Sequence, residues 1–469
     1  MGRRPIGCKY FLMTTFDRVL PTLLQICEQT EGFHNFKRAC AVRDLRGRIR
    51  LVLDPQETQP QEQTSSFCSA LESKIGNQLK SYFVPPILTT LGTGERARVA
   101  REILNSAHPW KNCSYEDPVS GNPVVPQGNR WRLLERRLSK HSWLDSDKLT
   151  PPWPLVKGVP PLVTFYSFKG GVGRTTSLAS CAWQLAREGK RVAIIDLDLE
   201  APGLGALLEA ETQRGAVDAI VDFLAVGSLD LDGLHAPAQG FGAEDAMQVD
   251  VVPAGNLDIN YLEKLARLDF INATPWDSRK ASPVEDALRA LVLKVRSALK
   301  PDYIFLDARA GLHDLAGLSL HGVSHVDVLV GRASEQSFRG LDIAIQALGI
   351  RKNSQDLRCI VVHGFAPRDP ESDSGKLELA KFQERTYDSF CEHIYEEDPP
   401  APTDKTAAHW PWPLRQDPDL ERFSSILSVR DNLFSEQHQH LLLRIKELCS
   451  PEPQSNANSG DEESEEDLP

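Results

Sequence analysis

No stretch of 18 or more apolar residues occurs in these 469 residues, so the sequence offers no helix able to cross a hydrocarbon core about 30 Å thick. No CxxC pair occurs either. The nine cysteines, at 8, 27, 40, 68, 113, 181, 359, 391 and 449, are scattered and odd in number. Zinc-ligand spacing is therefore missing, and the thiols read as reduced side chains in a reducing compartment. An excess of basic charge is absent as well. Lys and Arg number 53 against 65 Asp and Glu, giving a formal net charge of −12. This argues against a surface devoted to nucleic acid, while leaving room for a local basic patch. The opening MGRRPIGCKYFLMTTFDRVL is basic but lacks an apolar core and a small-residue cleavage site. No signal peptide is expected, and the reading is cytoplasmic. No internal repeat is visible.

Charged residues make up 25% and hydrophobic residues 41%, close to the globular average. The length suggests two to four domains and at least one sizeable core. Three regions are expected: 1–155 of uncertain α+β fold, 156–450 with alternating apolar strands and helices, and an acidic tail at 451–469. The tail, PEPQSNANSGDEESEEDLP, is too polar to order itself. Within the first region, Ala41–Leu53 reads as a hairpin turning at Asp44–Gly47. Ser65–Tyr82 reads as an amphipathic helix, with Phe67, Leu71, Ile75 and Leu79 four apart. Arg130–Trp143 reads as a basic helix carrying Arg130, Arg132, Arg136, Arg137 and Lys140. It is a solvated basic face or a contact to an acidic partner or nucleic acid. Pro151–Pro154 and Pro160–Pro161 suggest a stiff linker.

Leu162–Ser167 is apolar and β-prone, like a buried strand. The loop FKGGVGRTTS (168–177) follows at once, and Leu178–Arg187 reads as a helix. Strand, glycine loop and helix are the context a phosphate cradle requires. Glycines let successive N–H groups point inward at phosphate oxygens, and the helix start adds positive dipole character. Backbone from Lys169 through Gly170, Gly171, Val172, Gly173, Arg174, Thr175 and Thr176 would line that cradle, with the Thr175 hydroxyl placed to ligate magnesium. A second apolar strand, Arg191–Glu200, ends in Asp196, Asp198 and Glu200. Carboxylates at the C-terminal end of a parallel strand lie at the ligand edge of the sheet. A third, Asp302–Asp307, followed by Ala308–Gly311, is an apolar run ending in aspartate, the Walker B pattern. Val326–Val330 and Arg358–Val362 complete the set.

These strings resemble the deviant Walker A motif KGGxGK[ST] of the ParA/MinD family, and more closely its bacterial KGGVGR variants. The resemblance covers residues 160–370, and more loosely reaches 450. It implies an α/β, doubly wound, mostly parallel P-loop NTPase fold of the SIMIBI type. It also implies ATP with Mg2+, and two chains closing around two nucleotides as a sandwich dimer. Lys169 matches the lysine that reaches across such a dimer to the partner's phosphates. Arg174 stands where the ordinary P-loop lysine stands, keeping the charge on a longer, planar group. By the same resemblance Asp196 lies near magnesium, Asp198 orients the attacking water, and Asp307 holds magnesium through water. Where the family often places a base-contacting asparagine, this chain has His363, so the preference for ATP over GTP rests on the resemblance.

The function this implies is a slow ATPase switch that engages an unidentified protein partner. Two alternatives stay open: a non-catalytic ATP-binding module, because of Arg174, and a ParA-like DNA-associated protein, against which the acidic charge speaks. A membrane-targeting C-terminal helix would need an amphipathic basic segment, for which Leu441–Leu448 is a weak candidate. The run His409–Leu414, rich in aromatics and proline, reads as packing or a rigid turn rather than a lid over the base. Ser334–Ser337 reads as a helix N-cap.

Overall fold

The computed structural model describes residues 15–56, 60–110, 126, 128–137, 139–144, 150–268, 283–351, 357–396 and 398–451. The acidic stretch 452–469, Cys8 and Cys113 lie outside the described residues. The chain divides into two compact units meeting between Leu138 and Ser139.

The first unit is α+β. Strands β1 (Phe36–Arg43) and β2 (Ile49–Pro55) form the expected antiparallel hairpin, with Arg43 opposite Ile49. Asp44 closes its turn by accepting the backbone N–H groups of Arg46 and Arg48, both at 2.9 Å, as aspartate does in Asx turns. Short strands β3 (Leu88–Thr89) and β4 (His108–Pro109), with β5 (Trp131–Glu135), complete the sheet in the order β3-β2-β1-β5-β4. Helices α1 (Phe16–Glu28) and α2 (Gln61–Leu79) cover one face. There Leu23, Leu71 and Ile75 pack with Trp131. Helix α3 (Glu95–Ser106) covers the other face through Ala100 and Leu104.

The basic helix expected at Arg130–Trp143 does not form. Trp131–Glu135 is β5, paired in parallel with β1. The three- and four-residue spacing of Trp131, Leu134 and Leu138 suggested a helix. The decisive pattern is instead the alternation of Trp131 and Leu133 toward α1 and α2, with Arg132 and Leu134 facing the other way. The edge of β1 supplies the backbone partners that local propensity cannot.

The second unit is a doubly wound α/β domain. Its strands are β6 (Leu162–Tyr166), β7 (Val192–Leu197), β8 (Ala236–Pro237), β9 (Val249–Val252), β10 (Tyr303–Ala308), β11 (Val326–Gly331), β12 (Cys359–Ala366) and β13 (Pro411–Arg415). They order as β13-β12-β11-β6-β10-β7-β9-β8, and every pairing is parallel except that of β8 with β9. Alternate residues of each strand face opposite sides. Val163, Phe165, Ile194 and Phe305 pack under α4 (Arg174–Arg187) and the C-terminal helix Glu436–Leu448. Leu162, Ile195, Ile304 and Leu306 pack under α5 (Ala216–Val226) and α7 (Pro283–Leu299). Both faces are covered, which is why the strands read as unbroken apolar runs. Helices α6 (Ile259–Leu268), α8 (Glu335–Arg351), α9 (Asp373–His393) and α10 (Glu436–Leu448) complete the layers.

Residues 151–161 lie inside this unit. Trp153 is buried there, and its indole donates to the Pro160 carbonyl at 2.8 Å. The Pro411–Leu414 run is the edge strand β13, and His409 is buried beside Tyr395, their side chains 2.8 Å apart. The apolar side of Leu441–Leu448 is consumed by the core, with Leu441, Leu442 and Ile445 buried. No helix among the described residues is long and apolar enough to cross a membrane.

Candidate functional site

Strand β6 sits between β10 and β11. The loop that leaves its carboxyl end therefore opens at the crevice where doubly wound sheets place ligands. Gly171 and Gly173 adopt left-handed φ values of 69° and 90°, which side chains with a Cβ disfavour. The chain then turns directly into α4 at Arg174. Lys169, Gly170 and Gly171 are exposed, while Val172 is buried and Thr175 and Thr176 are partly so. Two close approaches set the loop. The Phe168 ring lies where a Cβ on Gly340 would stand, and the Val172 carbonyl would be 2.3 Å from a Cβ on Gly364. The Ser167 carbonyl accepts from the Gly311 N–H at 3.1 Å, joining this loop to the one after β10.

Three aspartates converge on the start of α4. Asp307 and Asp196 are register partners on β10 and β7, and Asp198 follows two residues on. All are buried, as is Arg174. The Arg174 guanidinium donates through Nε to Asp307 at 2.6 Å and through Nη2 to Asp198 at 2.8 Å. The Thr175 hydroxyl donates to the other Asp307 oxygen at 2.7 Å. Among the described residues no cation pairs with Asp196. It accepts the backbone N–H groups of Asp198 at 3.0 Å and Leu204 at 3.2 Å.

Burial, then the charge of Asp307, pushes the Asp196 carboxyl up to about 8. Burial also raises Asp307, against the opposing pull of Arg174 and Thr175. For Arg174 itself burial opposes the charge, but Asp307 and Asp198 more than offset this and hold the guanidinium above its usual value. One buried cation thus faces three buried carboxyls, an arrangement that invites a further positive charge. The buried Ser167 Oγ and Arg174 Nη1 have no hydrogen-bond partner. A hard divalent cation takes carboxylate and hydroxyl oxygens, and a phosphate takes guanidinium and hydroxyl donors. The residues present fit both groups.

The rim was less legible. Arg309 pairs with Glu200, and the His313 Nε2 lies 3.8 Å from the same carboxylate. This cluster ties together the loops that follow β7 and β10. The signal for the Arg309 pairing is that Glu200 and Arg309 both stand just past strand-end aspartates. The Tyr261 hydroxyl of α6 donates to the Leu199 carbonyl at 2.6 Å, a restraint that nothing in the sequence announced. His363 lies within β12, buried and stacked on Phe382 at 4.0 Å between centroids. Burial lowers its basicity to about 4.

Comparison with known proteins agrees with this geometry. Residues 158–230 match the family described as ParA, NUBPL iron-transfer P-loop NTPase. Over these residues the chain is similar to ParA/MinD-type P-loop NTPases. The iron-sulfur cluster carrier protein of Escherichia coli (strain K12) is 30% identical over 165 residues, 34% of this chain and 35% of that protein. Protein virC1 of Rhizobium radiobacter is 54% identical over 41 residues, 9% of this chain and 18% of that protein. The chain spans about a third of the length of the iron-sulfur carriers it matches. Among solved structures, the Pyrococcus furiosus cell division ATPase MinD aligns at a TM-score of 0.38 and 19% identity, over 62% of this chain and 100% of that one.

Proposed function

We propose that this protein is a nucleotide-dependent switch that binds ATP with Mg2+, hydrolyses it slowly, and closes as a homodimer in the ATP state to regulate a protein partner in the cytoplasm. The observation that carries the reading is the buried cluster of Arg174 and Thr175 on Asp307 and Asp198, at the mouth of a glycine loop. Backbone N–H groups from Gly170 to Arg174 cradle phosphate, and Lys169, exposed on the loop, is free to meet phosphate charge across a dimer. Thr175, Asp196 and Asp307 would hold the magnesium ion, which supplies charge neutralisation at the phosphates. Asp198 orients the attacking water. Arg174 is already bonded to two carboxylates through Nε and Nη2, which favours slow turnover.

A carrier of iron–sulfur clusters needs converging thiolates. Among the described residues Cys27, Cys40, Cys68, Cys181, Cys359 and Cys449 are buried and spread over several separate apolar cores, and Cys391 is partly exposed. That dispersal favours the switch over the carrier.

The test is phosphate release and light scattering on wild type and Asp198→Ala. Slow hydrolysis by wild type, with the variant stalled as an ATP-bound dimer, supports the switch. ATP binding without phosphate release, with or without DNA, moves the protein to a non-catalytic binding module. Failure to bind ATP removes the proposal.

A further inference from the structure

The segment that enters the second unit at Ser139 does not lead away from the nucleotide site. It turns through a short helix, His141–Leu144, and bonds to the loop that follows Asp307. The Trp143 indole N–H donates to the His313 carbonyl at 2.7 Å. The Ser142 hydroxyl donates to the Asp314 carbonyl at 2.8 Å. Lys140 Nζ lies 3.9 Å from the Asp314 carboxylate. Both Ser142 and Trp143 are buried. The fit is close: a Cβ on Gly317 would stand 2.5 Å from the Ser142 hydroxyl and 2.9 Å from the indole nitrogen.

From that contact a physical chain runs to the site in two directions. Trp143 packs on Tyr166 at 5.7 Å between centroids, and the Tyr166 hydroxyl donates to the Gly311 carbonyl at 3.3 Å. Gly311 in turn donates to the Ser167 carbonyl beneath the phosphate loop. In the other direction, His313 and Arg309 meet Glu200, two residues beyond Asp198.

We propose that Trp143, with Ser142, is a positioning residue for the nucleotide site. It holds the Arg309–Gly317 loop in the place that sets Asp307 and, through Glu200, Asp198. This rests on the switch reading given above.

Trp143→Phe keeps an aromatic ring in the buried slot, removes the N–H donor and trims the second ring. Ser142→Ala removes the second bond. The full-length variants are compared with wild type for melting temperature, Mg·ATP affinity, phosphate release, and hydrogen exchange at 309–317 with and without Mg·ATP. The expected result is an unchanged melting temperature to within a few degrees and ATP affinity within about twofold. Exchange at 309–317 rises at least fivefold in the nucleotide-free state, and phosphate release changes at least fivefold. Rates, affinity and melting temperature that all fall in step mean that Trp143 is merely structural, and overturn the proposal. So does loop exchange equal to wild type. If wild type binds no ATP, the switch reading fails on its own account, whereas the nucleotide-free exchange at 309–317 still decides whether Trp143 positions the loop.

Discussion

Removing the Arg174 guanidinium should expose how the site is balanced. Arg174→Met keeps most of the stem and its packing on the α4 side, but leaves Asp196, Asp198 and Asp307 buried with no cation among them. Breaking a buried ion pair by deleting one partner costs about 3–5 kcal/mol. At a urea slope of about 3 kcal/mol/M, that moves the unfolding midpoint of the second unit by about 1 M or more. The pH dependence is the sharper test. In the native state Asp196 is held at about 8 against an ordinary 3.8, so folding favours its protonated form. That contribution is fully present below the ordinary value and is lost as pH rises through 8. Wild type therefore weakens toward alkaline pH. The variant should weaken more steeply, because burial already raises Asp307 and Arg174 no longer opposes it. Near pH 5 the deficit should shrink as these carboxyls take up protons, and millimolar Mg2+ at pH 8 should recover part of it. Urea denaturation at pH 5, 7 and 8 measures this. Equal midpoints at pH 8, or a deficit independent of pH, would refute the reasoning.

Other outcomes follow from the same geometry. His363 and His438 are both buried and lowered to about 4; the unfolded chain binds their protons near 6.5, so stability should fall as pH drops from 6.5 to 4. His438→Gln should flatten that slope in acid denaturation curves. Gly364→Ala would press a methyl group on the Val172 carbonyl; nucleotide affinity should drop at least tenfold by titration calorimetry, with a smaller loss in melting temperature. Trp183, fully buried and stacked on Phe241 at 4.6 Å, should cost about 3–5 kcal/mol on truncation to alanine, read in urea.

The three central strands were legible because each is buried on both faces and ends in a glycine loop or an aspartate, whereas β9 and β13 were not read from the sequence. Leu162–Tyr166, Val192–Leu197 and Tyr303–Ala308 all fall where apolar runs predict them. β5 was not, because five residues of Trp131–Glu135 fit a helical spacing as well as a strand, and the choice is made by β1, whose partners lie 92 positions away. In the site, the residue types were legible but their partners were not. Spacing places Arg174, Asp198 and Asp307 at one sheet edge. It cannot say that the guanidinium bridges the two carboxylates, because that depends on the register of β7 against β10. Trp143 escaped for a related reason: its partner is a backbone carbonyl, which leaves no mark in the sequence.

The helix that begins at the phosphate loop is sealed from far downstream. Ser180 donates to the Leu433 carbonyl at 2.6 Å, and Trp183 lies between Phe241 and Phe434. The strand beneath the loop likewise gains its two neighbours only with Tyr303–Ala308 and Val326–Gly331. Synthesis delivers the cradle long before the parts that close it. A ribosome extending this chain at about 5–20 residues per second holds an unsealed nucleotide pocket for roughly 13–52 s, the time to add the 260 residues from Arg174 to Phe434. During that interval its apolar walls depend on whatever shields a nascent chain.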